Sequence, residues 1–96
     1  MKTLNEIKAT LRKNKSRLYS SYPIASMAIF GSFSRKEENE LSDIDILVEF
    51  NDKIGVRFID LANELEKLFG LKVDLVSKNG IKQGYLQYIE QDLIYV

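Results

Sequence analysis

The 96-residue sequence contains no cysteine and no histidine. Disulfides, thiolate nucleophiles, Cys- or His-based zinc sites and Ser-His-Asp chemistry are therefore excluded by inventory. Any metal must be held mainly by carboxylates, which favours magnesium or manganese. There is one proline and there are five glycines, in a chain that is 45% hydrophobic and 29% charged; that composition is globular, neither disordered nor collagenous. The longest apolar run, Met27 to Phe30, is far too short to cross a bilayer, so no membrane partner is expected. Met1 leads into a charged periodic segment instead of the apolar core of a signal peptide, and the expected location is the cytoplasm.

Formal net charge is zero, from 14 basic and 14 acidic side chains. A neutral chain argues against non-specific DNA binding, which needs clustered positive charge, and no stable nucleic-acid binding is expected. Locally the charges separate. Residues 2–17 carry Lys2, Lys8, Arg12, Lys13, Lys15 and Arg17 against Glu6. Residues 37–60 carry Glu37, Glu38, Glu40, Asp43, Asp45, Glu49, Asp52 and Asp60 against Lys53 and Arg57. The length predicts one domain over 1–96, which buries only about 60–65% of its unfolded surface, so an oligomer or a partner would help it.

Thr3 reads as a helix N-cap, with Glu6 three residues on as its capping-box partner. Leu4, Ile7, Leu11 and Leu18 follow the helical period to about Tyr19, and Ser20 to Pro23 break it. Ile24–Phe30 has strand length, and residues 34–42 read as a short helical turn or exposed loop. Asp43 to Phe50 alternates, with Ile44, Ile46, Val48 and Phe50 on one face and Asp43, Asp45, Leu47 and Glu49 on the other. Asn51 or Asp52 is the expected cap of the next helix. Its stripe reads Val56, Ile59, Ala62, Leu65 and Phe69, widened by Phe58, Leu61 and Leu68, with Gly70 as C-cap. Lys72–Val76 alternates as a further strand, Asn79-Gly80 turns, and Ile81–Gln91 reads as a helix packing through Tyr85, Leu86 and Ile89. Leu93–Val96 adds an edge strand. The helix between 50 and 72 is long enough for a crossover, so the strands on either side are expected to be parallel neighbours. The expected fold is α/β (α+β), a small mixed β-sheet with helices packed against it.

Three acids stand out by position. Asp43 and Asp45 leave the same face of one strand, about 6.5–7 Å apart. Asp74 leaves the polar face of another. Converging carboxylates repel, and a divalent cation removes that cost; hard oxygen ligands suit magnesium. Two such ions can bridge and polarise a phosphate. Gly31-Ser32, directly after a buried strand, lets backbone approach a ligand and supplies a hydroxyl to a phosphate oxygen. Arg35 and Lys36 on the same loop can stabilise phosphoryl charge. Tyr85, Tyr88 and Tyr95 read more readily as core, core edge or interface than as a base-stacking platform.

Phe30-Gly31-Ser32, ten residues, and then Asp43-Ile44-Asp45-Ile46 resembles the signature of the polymerase-beta-type nucleotidyltransferase superfamily. Val73-Asp74-Leu75-Val76 is similar to the strand bearing that family's third carboxylate. Size and chain path resemble its minimal nucleotidyltransferase (MNT) group over nearly the whole chain. By position, the resemblance implies that Gly31 and Ser32 grip a nucleotide triphosphate, with Arg35 kept beside them. It implies that Asp43 and Asp45 hold two Mg2+ ions and that Asp74 helps hold the catalytic one and favours deprotonation of the acceptor. Where many relatives read Gly-Ser-Arg-Ala-Arg-Gly, this chain has Phe33 for the first Arg, Ser34 for Ala and Lys36 for the last Gly.

The group's members commonly act as antitoxins. The resemblance therefore implies an Mg-dependent protein adenylyltransferase that moves AMP from ATP to a tyrosine of a HEPN-domain RNase toxin encoded nearby, with which it can assemble. The alternative is a non-catalytic antitoxin that neutralises by binding alone. Transfer to a small molecule such as an aminoglycoside is disfavoured, because those enzymes usually carry an added helical domain.

Overall fold

The computed structural model describes residues 2–39 and 42–96. Helix α1 (Leu4–Ser21) is followed by strands β1 (Ile24–Phe30) and β2 (Ile44–Phe50), helix α2 (Arg57–Phe69) and strand β3 (Val73–Ser77). A single 3-10 turn (Lys78–Gly80), helix α3 (Gln83–Glu90) and the two-residue strand β4 (Ile94–Tyr95) complete the order. Thr3 caps α1 as its sequence predicts, its hydroxyl accepting from the Glu6 amide at 3.3 Å. Gly70 ends α2 in the left-handed conformation, φ 67°.

The sheet order is β3-β2-β1-β4. β1 runs antiparallel to β2 and to β4, and β2 runs parallel to β3 across the α2 connection. One sheet face carries Met27, Ile29, Ile44, Ile46, Val48 and Phe50, covered by α1 through Ile7, Leu11 and Leu18 and by α2 through Leu61, Leu65 and Phe69. Burial of side chains of this size, at about 1.5–3 kcal/mol each, is the main favourable term. At the end of α1, Arg17 and the Tyr22 hydroxyl both bond Glu64 of α2, tying the two helices together.

The opposite face is not purely polar. Leu47 is buried there with Phe30 and Ile89 of α3, flanked by Val76, Ile81, Leu86 and Leu93. Alternation alone put Leu47 on the acid-bearing side; α3 folding back over that side gives it a partner.

The sequence expectations are corrected at α2 and α3. Neither Asn51 nor Asp52 caps α2: Asp52 accepts from the Lys53 amide at 2.7 Å, the chain turns through Gly55 (φ 56°), and the helix begins at Arg57 with Val56 in the cap position. The later start rotates the stripe. Val56 and Ile59 are 84% and 62% exposed, while Leu61, Leu65 and Phe69 are buried and Phe58 and Leu68 pack at the edge. α3 is shorter than 81–91 at both ends. The loop read over 34–42 is a tight turn to Lys36 and non-helical to Asn39; Glu40 and Leu41 lie outside the described residues.

Phe33 is 1% exposed and belongs to the main core, although it sits on the loop after β1. It is the apolar anchor of that loop. Replacing Phe33 by Ala should cost about 3–5 kcal/mol, the range for emptying a buried phenylalanine site. Chemical denaturation of the two proteins measures the difference, and a loss under about 1 kcal/mol would show that the loop is held by something else.

Candidate active site

Parallel pairing of β2 with β3 sets Asp45 directly opposite Asp74, and antiparallel pairing with β1 sets Asp45 opposite Phe30. Side chains at paired positions share a face, so the two carboxylates are neighbours. Asp43 stands two residues earlier, just ahead of β2 and exposed. Asp45 is half-buried. Its carboxyl is pushed up to about 6, first by desolvation, then by the charge and hydrogen-bonding reach of Asp74, then by Asp43, with Arg35 opposing.

Gly31 closes over this pair. Its φ is 74°, and a Cβ there would stand 2.1 Å from Oδ2 of Asp45. The turn that follows folds onto Gly31: its carbonyl accepts from the Arg35 amide at 3.2 Å and from the Ser34 hydroxyl at 3.0 Å. The Ser32 carbonyl accepts from the Glu37 amide at 2.9 Å, and Ser32 itself is half-buried. Lys36, at the position where the resemblance has glycine, has φ 58°; the left-handed backbone explains why glycine suits it.

Arg35 Nε donates to Glu37 at 2.7 Å, and Nη1 donates to Asp92 at 2.8 Å. The guanidinium thus spans from the turn to the segment between α3 and β4. Both pairs are partly exposed, so their worth lies in orientation more than in stability. Gly31, Arg35, Asp45, Tyr85, Tyr88 and Asp92 line a cleft of about 160 Å³. Ser32, Asp43 and Asp74 are not among its lining residues.

Two parts of this cleft escaped the sequence reading. Tyr85, expected to pack, is 44% exposed and faces the acids; burial first, then the charges of Asp74 and Asp45, hold its phenol above the usual range. Tyr88 is 71% exposed one turn on. Their i, i+3 spacing is a signal for a shared helix face, but nothing local says which face. Asp92 has no sequence signal, because only the turn after α3 brings it to Arg35.

Among the described residues, no three acidic side chains converge as a ready-made metal cage. Asp45 and Asp74 are paired neighbours and Asp43 stands two residues before Asp45, short of the converged cluster expected from sequence. The donor set nevertheless fits a hard divalent cation. Asp45 and Asp74 are adjacent, and the Asp45 carboxyl is pushed up first by burial and then by its acidic neighbours; a cation would offset that second contribution.

A wider depression of about 460 Å³ lies at the far end of β2, between Phe50, Asn51, Ile54, Ser77 and Asn79. Asn79 there is committed to the fold, accepting from the Phe50 amide at 3.0 Å and donating to its carbonyl at 3.2 Å. The smaller cleft is the one that Gly31, Arg35 and Asp45 line.

The nucleotidyltransferase domain family model matches residues 7–96. This chain belongs to that family. It is 50% identical over 98 residues to a candidate protein adenylyltransferase of Methanocaldococcus jannaschii, covering 100% of both chains. It is 39% identical to the protein adenylyltransferase MntA of Thermococcus cleftensis, over 100% of this chain and 98% of that one. Among solved structures, a candidate minimal nucleotidyltransferase superposes with TM-score 0.82 at 29% identity, covering 97% and 95% of the two chains. The fold is also found, at TM-score 0.70 and 23% identity over 93% and 70% of the chains, in a complex of a tri-AMPylated Shewanella oneidensis HEPN toxin with its MNT antitoxin. The nucleotidyltransferase fold expected from the resemblance is thus the one observed.

Two outcomes test this geometry. In the metal-free nucleotidyltransferase, Asp45 titrates near 6 against 3.8 ordinarily. The folded state therefore holds the proton more tightly, and the stability this lends is present at low pH and lost as pH rises through about 6. Asp45→Asn should melt above the wild type at pH 7–8 and lose that advantage near pH 4. Taking the difference isolates Asp45 from Glu64, which Arg17 and Tyr22 hold below its usual range and which runs the other way. A pH-independent difference would remove the assigned carboxylate coupling. Gly31→Ala should cost at least about 1–2 kcal/mol from the left-handed backbone alone, and displace the Asp45 carboxylate; an unchanged denaturation midpoint would contradict the close approach.

Proposed function

We propose that this nucleotidyltransferase is a magnesium-dependent protein adenylyltransferase acting as an antitoxin, moving AMP from ATP onto a tyrosine hydroxyl of a HEPN-domain RNase toxin. The observation that carries the reading is the Asp45–Asp74 pair set in register beneath the Gly31 turn. Identities of 50% and 39% over the full chain to the two adenylyltransferases point to the same reaction. The antitoxin role and the partner's class follow the toxin complex that shares the fold. With ATP as donor, the cytoplasm is the location proposed for the reaction. No helix among the described residues is long and apolar enough to cross a membrane.

Asp43, Asp45 and Asp74 would hold Mg2+, which when bound would supply charge to polarise the reacting phosphate and activate the attacking oxygen. Gly31, having no side chain, lets its backbone lie against the triphosphate, and Ser32 positions phosphate oxygens. Arg35 neutralises phosphoryl charge, held in place by Glu37 and Asp92 so that little reorganisation is needed on binding. The acceptor hydroxyl attacks the α phosphorus in line and pyrophosphate leaves. Positioning and charge stabilisation suffice, with no covalent enzyme intermediate.

The cleft of about 160 Å³ is below the 300–1,000 Å³ of a typical small-molecule site. A surface this open cannot enclose a nucleotide and a free acceptor together. An acceptor carried on a partner protein supplies the missing wall.

The toxin encoded beside this chain, purified after co-expression, should gain whole AMP units in its intact mass. Asp45→Asn or Asp74→Asn should cut the transfer rate by at least about 100-fold, the scale of losing a few kcal/mol of transition-state charge stabilisation. An unmodified toxin that the Asp45→Asn, Asp74→Asn protein still silences would establish neutralisation by binding instead.

A further inference from the structure

The cleft contains a tyrosine hydroxyl of its own. Protein adenylylation needs an accessible hydroxyl brought to the nucleotide site, and Tyr85 is accessible without a partner. Its side chain lines the same cleft as Asp45, Gly31 and Arg35, and it is 44% exposed. Its phenol is close enough to Asp74 and Asp45 for their charges to act on it. It rides on α3, eight residues long, begun at Lys82 without a side-chain cap and carrying Gly84 next to Tyr85. Nothing packs over Gly84 within 4 Å. A short, uncapped helix with an internal glycine adjusts at little cost. Its one fully buried anchor is Ile89, a turn beyond Tyr85.

We propose that Tyr85 is a self-adenylylation site: with ATP bound and no toxin present, the chain transfers AMP to its own Tyr85. This rests on the adenylyltransferase reading above. Tyr85 Oη attacks the α phosphorus, a phosphorus–oxygen bond forms to the phenol, and the bond to the bridging oxygen of pyrophosphate breaks. The phenolic proton leaves to water at the open mouth of the cleft. No oxidant or further co-reactant is required. The product keeps the AMP group in the cleft, where it occupies the place of the next nucleotide.

The test is incubation of the purified full chain with Mg2+ and ATP labelled at the α phosphate, followed by intact mass and peptide mapping. The wild type should gain one AMP unit, on the peptide containing Tyr85. Its rate per molecule should not change on tenfold dilution, because donor site and acceptor share one chain. Tyr85→Phe should lose the label and Tyr95→Phe, an exposed tyrosine outside the cleft lining, should keep it; circular dichroism melting confirms that each is folded. Label mapped to Tyr88 or elsewhere, or a rate that falls with dilution, overturns the assignment. A parallel incubation with the toxin separates the two readings. Labelled toxin in that incubation, with no label on the enzyme in the toxin-free one, overturns self-adenylylation and leaves the proposed function standing. No label on either protein overturns both.

Discussion

The register between β2 and β3 is the constraint on which the site depends. A shift of one residue along either strand would send an aspartate to the helix-covered face and bring an isoleucine or valine to the cleft. The register is held because Ile44, Ile46 and Val48 must be buried beneath α1 and α2, and Val73 must join them. The apolar core thus positions the acids. The cost is that Asp45 and Asp74 are driven together on the other face, which the elevated Asp45 carboxyl records.

The second constraint is the loop after β1. An exposed turn would be a poor platform for phosphate chemistry, since loops are the mobile parts of a small domain. The first turn of this one is pinned twice. Phe33 is sunk in the main core, and Arg35 reaches across the cleft to Asp92. The apolar anchor is Phe33 and the cation is Arg35, so the loop's stiffness and its charge come from different residues.

The elements themselves were largely legible. Both strands bearing acids, the parallel pairing across α2, the Thr3 cap and the Gly70 stop follow from period, spacing and terminal chemistry, each a local property. The misreadings share one cause. Val56 and Ile59 look like core, and Asn51 and Asp52 look like caps, until Gly55 turns the chain and delays α2. Leu47 looks exposed until α3 returns over the sheet. Hydrophobicity says that a residue prefers burial, but the path of the chain decides which of several apolar side chains receives it.

The site divides along the same line. The sequence by itself determined the reactive groups: with no cysteine or histidine, it offered carboxylates, a Gly-Ser turn and a basic loop, and spacing along one strand put Asp43 and Asp45 on one side. Tertiary structure alone decided that Asp74 lies beside Asp45, that Asp92 holds Arg35, and that Tyr85 faces the acids instead of the core. These are contacts between residues 29, 57 and 40 positions apart. Strand pairing and the packing of α3 create them, and no local periodicity encodes a distance across that much chain.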